Sequence, residues 1–494
     1  MQAIPLFIAL PLLTAFVIPI MAKIKREVID WLANLIMILL FILSIFAFYL
    51  ISPNNTLVYK MGGWLPPLGI NLVLDGLSAL MLFTIAFVSL AATVFSIKYM
   101  ERFTAKSKYY TLFMLMLAGM NGVVLTGDFF NMFVFLEVAA VASYALVAFG
   151  GESEELEASF KYMVLGSVAS MLILFGIIIM YGLTGTLNMA HVSKIISATA
   201  LTKGKLFCAA LFLMGFGLKG ALVPFHAWLP DAHPSAPAPI SAMLSGVLIK
   251  ALGIYALARI FINVFGLSSV FSAILITLGL LSMVAGALLA MRQEDFKRLL
   301  AYSSISQVGY IILALGIGTP LAILGGLFHL FNHATFKSLL FLNSGAIEMS
   351  TGTRKLDEMG GLTERLPATS WTGVIGSLSI AGVPPFNGFW SKLFIIIAAV
   401  LAKRFWLAAV AAIVSILTLA YFLRVQKLAY FGNLKEKLKN IKEVPSLMWL
   451  TMVALAAICV VVGLSFPWII ANILNPGAKA LLNGTGYAAL ILGE

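Results

Sequence analysis

Apolar residues along this chain come in long continuous runs, each about the length of helix that crosses a bilayer, rather than in the 3.6-residue stripe of a soluble helix or the alternation of a strand. The runs predict about fourteen transmembrane helices, over 3–22, 31–51, 77–97, 109–126, 129–149, 161–183, 206–224, 239–264, 270–291, 303–317, 321–347, 368–402, 405–430 and 447–475. They are too long for barrel strands, so the expected fold class is an all-α polytopic membrane protein. No polar domain interrupts them, and residues 1–494 read as a single membrane domain. Lys and Arg gather after odd-numbered runs: Lys23, Lys25 and Arg26, then Lys98 to Lys108, Arg292 to Arg298, Arg354 to Arg365, and Arg424 to Lys442. Basic loops face the cytoplasm, which puts the N- and C-termini outside a cell membrane. The connection GESEELEAS is acidic and reads as a loop, and the basic stretch NLKEKLKNIKEVP reads as a solvated loop or surface helix.

Two segments recur. ASFKYMVL at 158–165 returns as ATFKSLLF at 334–341, and ALVPFHAW at 221–228 returns as GVPPFNGF at 382–389. Each pair lies five spans apart, an odd number, so the copies point opposite ways across the bilayer. This is the mark of an inverted repeat. The second echo places Pro224 in span seven and Pro384 and Pro385 in span twelve. Mid-span proline breaks a helix, and lipid tolerates such breaks only where they line an interior polar path. The HATFK region of span eleven reads as a candidate third break.

Composition sharpens this picture. The chain is 61% hydrophobic and 11% charged, with a mean hydropathy of +1.04. Its net charge of +12 is accounted for by basic loops and does not indicate a nucleic-acid partner. Cys208 and Cys459 lie in apolar runs and read as small buried residues, too few for an iron–sulfur cluster. No nucleotide-binding loop, dinucleotide fingerprint or haem-attachment motif is present, so no cofactor is expected.

Against that apolar background several ionisable residues stand at membrane depth: Glu137, Lys219, Lys250, His329, His333, Lys337 and Lys392. A charge at the bilayer centre costs on the order of 3 kcal/mol, so such residues mark paired or wetted sites. Lys161 and Arg259 are closer to span ends and are read as snorkelling to the headgroups. His329, His333 and Lys337 recur every fourth residue and share one helix face. Two histidines lack the third ligand that zinc needs, and haem would require histidines on facing helices, whereas His191, His226 and His233 fall in or near loops. A proton relay suits the pattern: histidine titrates near neutrality, and a carboxylate approaching a buried lysine strengthens its hold on a proton. Lys337 also reads as a structural anchor. HAWLPDAHPSAPAP reads as a stiff loop that sets His226 and His233 on the rim of an inside mouth. Asp75 and Asp128 read as helix caps.

The motifs KGALVPFHAWLPDAHPSAPAPISAMLSGVLIKALGIYALARI, QEDFKRLLAYSSISQVGY and LFHLFNHATFKSLLFLNSG resemble the proton-conducting antiporter-like family. That family includes membrane subunits of respiratory complex I, Mrp sodium/proton antiporters and membrane-bound hydrogenase or sulfane-reductase complexes. The resemblance implies fourteen helices, with spans four to eight (109–264) and nine to thirteen (270–430) as two inverted repeats. It implies a relay in which Glu137 pairs with Lys219, Lys250 is the central lysine, His329 is the span-eleven gate and Lys392 the span-twelve residue. Lys392, Gln307 and the short tail are most similar to D-type subunits of Mrp antiporters and of the hydrogenase or sulfane-reductase complexes. The expected function is translocation of protons, or of sodium against protons, as a non-redox subunit of a larger redox-linked complex, among other membrane subunits. A stand-alone D-type member of an Mrp sodium/proton antiporter, a quinone-binding redox subunit and a scaffold are the alternatives.

Overall fold

The computed structural model describes residues 3–25, 27–51, 56–65, 67 and 69–493; the expected inside residue Arg26 lies outside them. Helices dominate. The chain opens with α1 (Leu6–Ile24), α2 (Val28–Leu50), α3 (Gly76–Tyr99), α4 (Lys106–Leu125), α5 (Phe129–Val147), α6 (Ser153–Thr184), α7 (Met189–Ser197), α8 (Lys203–Lys219) and α9 (Leu229–Ser235). It continues with α10 (Ala238–Val264), α11 (Ser269–Met291), α12 (Phe296–Ile317), α13 (Pro320–Thr351), α14 (Pro367–Ala381), α15 (Asn387–Leu401), α16 (Phe405–Tyr430) and α17 (Ser446–Leu464), and short helices include α18 (Asn475–Leu482) and α19 (Tyr487–Leu492).

Among the described residues, eleven of these helices are long and apolar enough to cross a membrane. The expected spans that fall short of that standard are seven, eleven and twelve, those carrying proline breaks or the His–His–Lys ladder. Span seven ends as α8 at Lys219 and resumes as α9; span twelve ends as α14 at Ala381 and resumes as α15. Both gaps hold a proline in a cis peptide bond, Val223–Pro224 and Pro384–Pro385. The third expected break is absent: α13 runs unbroken through His329, His333 and Lys337, with no internal proline to remove a backbone donor.

Several other expectations are corrected. The acidic GESEELEAS is not a loop but the first turns of α6, where Glu152 and Glu155 form a reciprocal capping box; carboxylates complement the positive end of a helix dipole. HAWLPDAHPSAPAP contains the helix α9, with Asp231 in its first turn. Arg259 does not snorkel. It is 4% exposed and grips Asp75 through two hydrogen bonds of 2.7 Å. A small antiparallel hairpin, β1 (Leu57–Lys60) with β2 (Asn71–Leu74), adds strand to the expected all-helical fold. As expected, Asp75 caps α3 and Asp128 caps α5, and Cys208 and Cys459 are free and buried.

One large apolar cluster extends from Ile4 to Ile491, with a smaller one among α11, α12, α15 and α16. Small residues let helices touch backbone to backbone. A Cβ on Gly253 of α10 would lie 2.4 Å from the Gly220 Cα, in the break after α8. This contact brings two of the expected site residues together.

Candidate functional site

Each broken span sets a lysine beside the free end of its first half. Lys219 is the last residue of α8. Its ammonium donates to the Tyr144 hydroxyl at 3.2 Å and lies 3.8 Å from the Glu137 carboxylate, both on α5. Lys392, on α15, reaches back to α14 and donates to the carbonyls of Ile380 at 2.8 Å and Ala381 at 3.3 Å, as well as to Ser415 at 3.3 Å. Carbonyls at a helix C-terminus lack intrahelical donors and carry negative partial charge, so a cation there satisfies both deficits.

The surroundings of Lys219 are aromatic and polar. Tyr144 packs edge-on against Tyr162, which hydrogen-bonds Ser143 at 3.0 Å and stacks on Trp228 at 4.1 Å. Trp228 donates to the Leu218 carbonyl at 2.9 Å, satisfying the frayed end of α8. Glu137 differs from its neighbours: its side chain is 34% exposed, against 3% for Lys219, and it also accepts from Ser170. The carboxylate therefore sits at the rim of the molecule, at membrane depth.

Lys250 is fully buried on α10. The backbone there departs from α-helical bonding into π-helical turns at 244–248, 250–255 and 259–264. Such turns release a carbonyl from the regular ladder, and Lys250 donates to the Ser245 carbonyl. The Gly253–Gly220 approach packs the helix one turn from Lys250 against the end of α8. On its other side α10 lies against α13: a Cβ on Gly246 would meet Ser338 and the Ala334 carbonyl, and Ser338 lies 3.4 Å from the Ala242 carbonyl. Moving up α10 moves down α13, so Lys250 lies near the level of His333, and Lys250 and Lys337 both act electrostatically on that ring.

Helix α12 supplies a polar stripe that ties this region together. Lys337 donates to the Leu300 carbonyl at 2.6 Å and to Ser303 at 2.9 Å. Ser304 hydrogen-bonds Ser245 at 2.8 Å, beside the Lys250 acceptor. Gln307 Oε1 contacts His329 Nε2 at 3.1 Å, while His329 Nδ1 contacts Ser391, the neighbour of Lys392, at 3.0 Å. His329 and His333 have ring centroids 6.3 Å apart. Neither ring nitrogen of His333 has a partner among the described residues, and buried polar atoms of this kind are ordinarily met by water.

The expected site residues thus form one row in space: Glu137 and Lys219, then Lys250, then His333, Lys337 and His329, then Lys392. Direct contacts join Glu137 to Lys219 and, through Ser391, His329 to the neighbourhood of Lys392. Among the described residues no direct bond joins Lys219 to Lys250 or Lys250 to His333. Six of the seven are at most 5% exposed, which excludes snorkelling. Tyr144, Ser170, Ser245, Ser303, Ser304, Ser391 and Ser415 were missed by sequence reasoning. Only the run AYSSISQVGY, with polar residues on every helical face, hinted at the stripe on α12. No group of three or more His, Cys, Asp or Glu able to hold a metal occurs among the described residues.

Residues 126–418 match the family described as NADH:quinone oxidoreductase/Mrp antiporter, transmembrane, and residues 64–110 match the N-terminal region of complex I chain 5. The chain is 36% identical to the D subunit of the Na(+)/H(+) antiporter of Alkalihalophilus pseudofirmus over 92% of each chain. It is 35% identical to the N subunit of the NADH-quinone oxidoreductase of Desulforudis audaxviator over 84% of this chain and 86% of the other. Among solved structures it superposes on a chain of the Mrp complex from Dietzia with a TM-score of 0.92 at 28% identity, covering 99% of both. It superposes on a chain of the membrane-bound sulfane sulfur reductase, an archaeal respiratory membrane complex, with a TM-score of 0.91 at 36% identity, covering 100% of both.

Proposed function

Because this chain belongs to the NADH:quinone oxidoreductase/Mrp antiporter family of multi-pass membrane proteins, we propose that it translocates protons as one subunit of a larger membrane complex. Protons travel laterally along Glu137, Lys219, Lys250, His333, His329 and Lys392, with Lys337 beside the centre and water filling the gaps. The observation that carries the reading is the buried row itself, in which two lysines at helix breaks flank a third lysine on π-helical turns. A scaffold would need carboxylates opposite these ammonium groups, whereas among the described residues only Lys219 of the six buried members has one, the rim carboxylate Glu137. On this reading the spans number fourteen, helices four to eight and nine to thirteen are inverted repeats, and the basic loops face the cytoplasm with both termini outside.

Whether electron transfer or a sodium gradient supplies the driving force divides two versions of the proposal. Similarity to a respiratory sulfane-reductase chain favours the first, and similarity to a chain of the Na(+)/H(+) antiporter favours the second. Purifying the assembled complex and asking which gradient or donor drives proton uptake separates them. The relay itself is tested by Lys250→Ala in that complex, reconstituted in vesicles with a pH-sensitive dye. Loss of a proton carrier lowers the initial rate by about a hundredfold or more, and unchanged uptake by a correctly assembled variant refutes the relay.

A further inference from the structure

Apart from Glu137 at the rim, the row of ionisable groups is buried, and the proposed function requires a way in from solvent. At one end of the helix bundle, α6, α9, the start of α12 and the segment after α13 surround a polar cavity of about 360 Å³. Its walls are charged and paired: Lys161 bridges Glu157 at 2.7 Å and Asp231 at 3.2 Å, Arg298 meets Asp231 at 3.2 Å, and Arg354 meets Asp295 at 3.1 Å. A second cavity of about 540 Å³ shares Ser235, Asp295 and Arg354 and reaches Glu348. Pro234 and Ser235 line the first, so His233 stands one residue behind its wall.

His233 was expected on a rim, but it is 0% exposed. Neither of its ring nitrogens has a hydrogen-bond partner among the described residues, although a buried imidazole normally satisfies at least one. The loop around it is held firmly: Ser241 donates to the His233 carbonyl at 2.8 Å, and Lys297 lies 3.4 Å from the Ala236 carbonyl. Lys297, itself buried, pairs with Glu348 at 2.7 Å, and Glu348 faces the second cavity. On its inner side the His233 ring stacks on Phe341 with centroids 4.5 Å apart, and the Lys337 ammonium sits 5.8 Å from the centroid of that same phenyl ring. The charged groups that act on His233 are Lys337, Lys250 and Lys297, on three different helices.

Resting on the relay reading, we propose that His233 is the uptake residue through which protons pass from the charged cavity to Lys337, with Phe341 as the gate between them. The step changes only N–H and O–H bonds. The imidazole takes a proton on one nitrogen from water beside Glu348. It gives up the proton on its other nitrogen to water that reaches the neutral amine of Lys337 when the Phe341 ring swings aside. Nothing is oxidised or reduced, and the ring returns by exchanging tautomers. The aspartates and glutamates of the cavity wall collect protons from bulk solution, and the interleaved Arg and Lys keep them paired and in place. Lys337, read from sequence partly as an anchor, becomes the first inner stop of the path.

The test uses the assembled complex in vesicles, with native gels to confirm assembly. His233→Gln keeps the size and hydrogen bonding of the side chain but cannot carry a proton, and it lowers the initial rate of proton uptake by about tenfold or more. His233→Ala does the same, and imidazole at millimolar concentration restores a substantial part of its rate while leaving wild type unchanged. A merely structural histidine would not show that rescue. Uptake within about twofold of wild type in assembled His233→Gln, or a His233→Ala defect that imidazole does not relieve, overturns the proposal. Lys250→Ala is measured alongside. If it is inactive while both His233 variants pump normally, the uptake path fails and the relay stands; if Lys250→Ala pumps normally, the relay itself has failed.

Discussion

Asp75→Asn offers a sharp test of what holds the central helix in place. Asp75 caps α3 and receives both Nη atoms of Arg259 at 2.7 Å, with the two side chains only 6% and 5% exposed. Arg259 lies on α10 two turns beyond Lys250, and Tyr255 and Tyr487 both present ring faces to its guanidinium at 5.3 Å. Asn263, one turn further on, hydrogen-bonds Arg259 and donates to the carbonyls of Ala480 and Gly484. The pair therefore fastens α3, α10 and the C-terminal segment together. Charge centres about 4 Å apart at an effective dielectric of about 20 attract by about 4 kcal/mol. Removing one partner strands the other charge, at a cost of about 3–5 kcal/mol, whereas removing both spares most of that. The assay is thermal unfolding of the detergent-solubilised complex, together with limited proteolysis between residues 470 and 490. Asp75→Asn melts lowest, the double variant Asp75→Leu with Arg259→Met melts above it, and the C-terminal segment of Asp75→Asn is cut fastest. An Asp75→Asn protein that melts with wild type, or a double variant less stable than Asp75→Asn, refutes the reasoning.

Two further outcomes follow from named contacts. Tyr144→Phe removes the hydroxyl that accepts from Lys219 while leaving the ring against Tyr162, so assembly is preserved and proton uptake falls by about tenfold, for a lost bond to a charged group of about 1.5 kcal/mol or more; uptake equal to wild type would show that Glu137 alone holds the lysine. Gly253→Val drives a side chain into the Gly220 backbone, 2.4 Å from the first added carbon, and the protein fails to assemble, which membrane yield and native gels detect.

Most of the long apolar helices, the two breaks and the burial of most of the singled-out ionisable residues were legible because each leaves a mark on the one-dimensional string. Apolar runs, prolines at repeated offsets and charges set in grease are compositional facts. Arg259 was misread because its partner Asp75 lies 184 residues away and only folding brings them together. The π-helical turns around Lys250 were invisible, since LSGVLIKALGIY reads as an ordinary helix and the wider bonding answers to packing. His233 was placed on a rim because prolines flank it, yet α9 turns it inward onto Phe341. The serines of α12 carry no signal of their own; helix geometry aims Ser303 at Lys337 and Ser304 at Ser245.

Of the four lysines and two histidines in the row, only Lys219 has an ion pair among the described residues, with Glu137 at the edge of the protein. Two like charges 10 Å apart at an effective dielectric of about 20 repel by about 1.7 kcal/mol, more than a tenfold bias. If protons move along it as proposed, a newcomer anywhere along such a line makes each neighbouring seat less welcoming and urges the occupant ahead to leave. On the proposed relay, traffic is kept in single file by mutual repulsion rather than by the bore of a pipe, and a nudge to Glu137 at one edge would be felt at Lys392 without any large movement of the helices between.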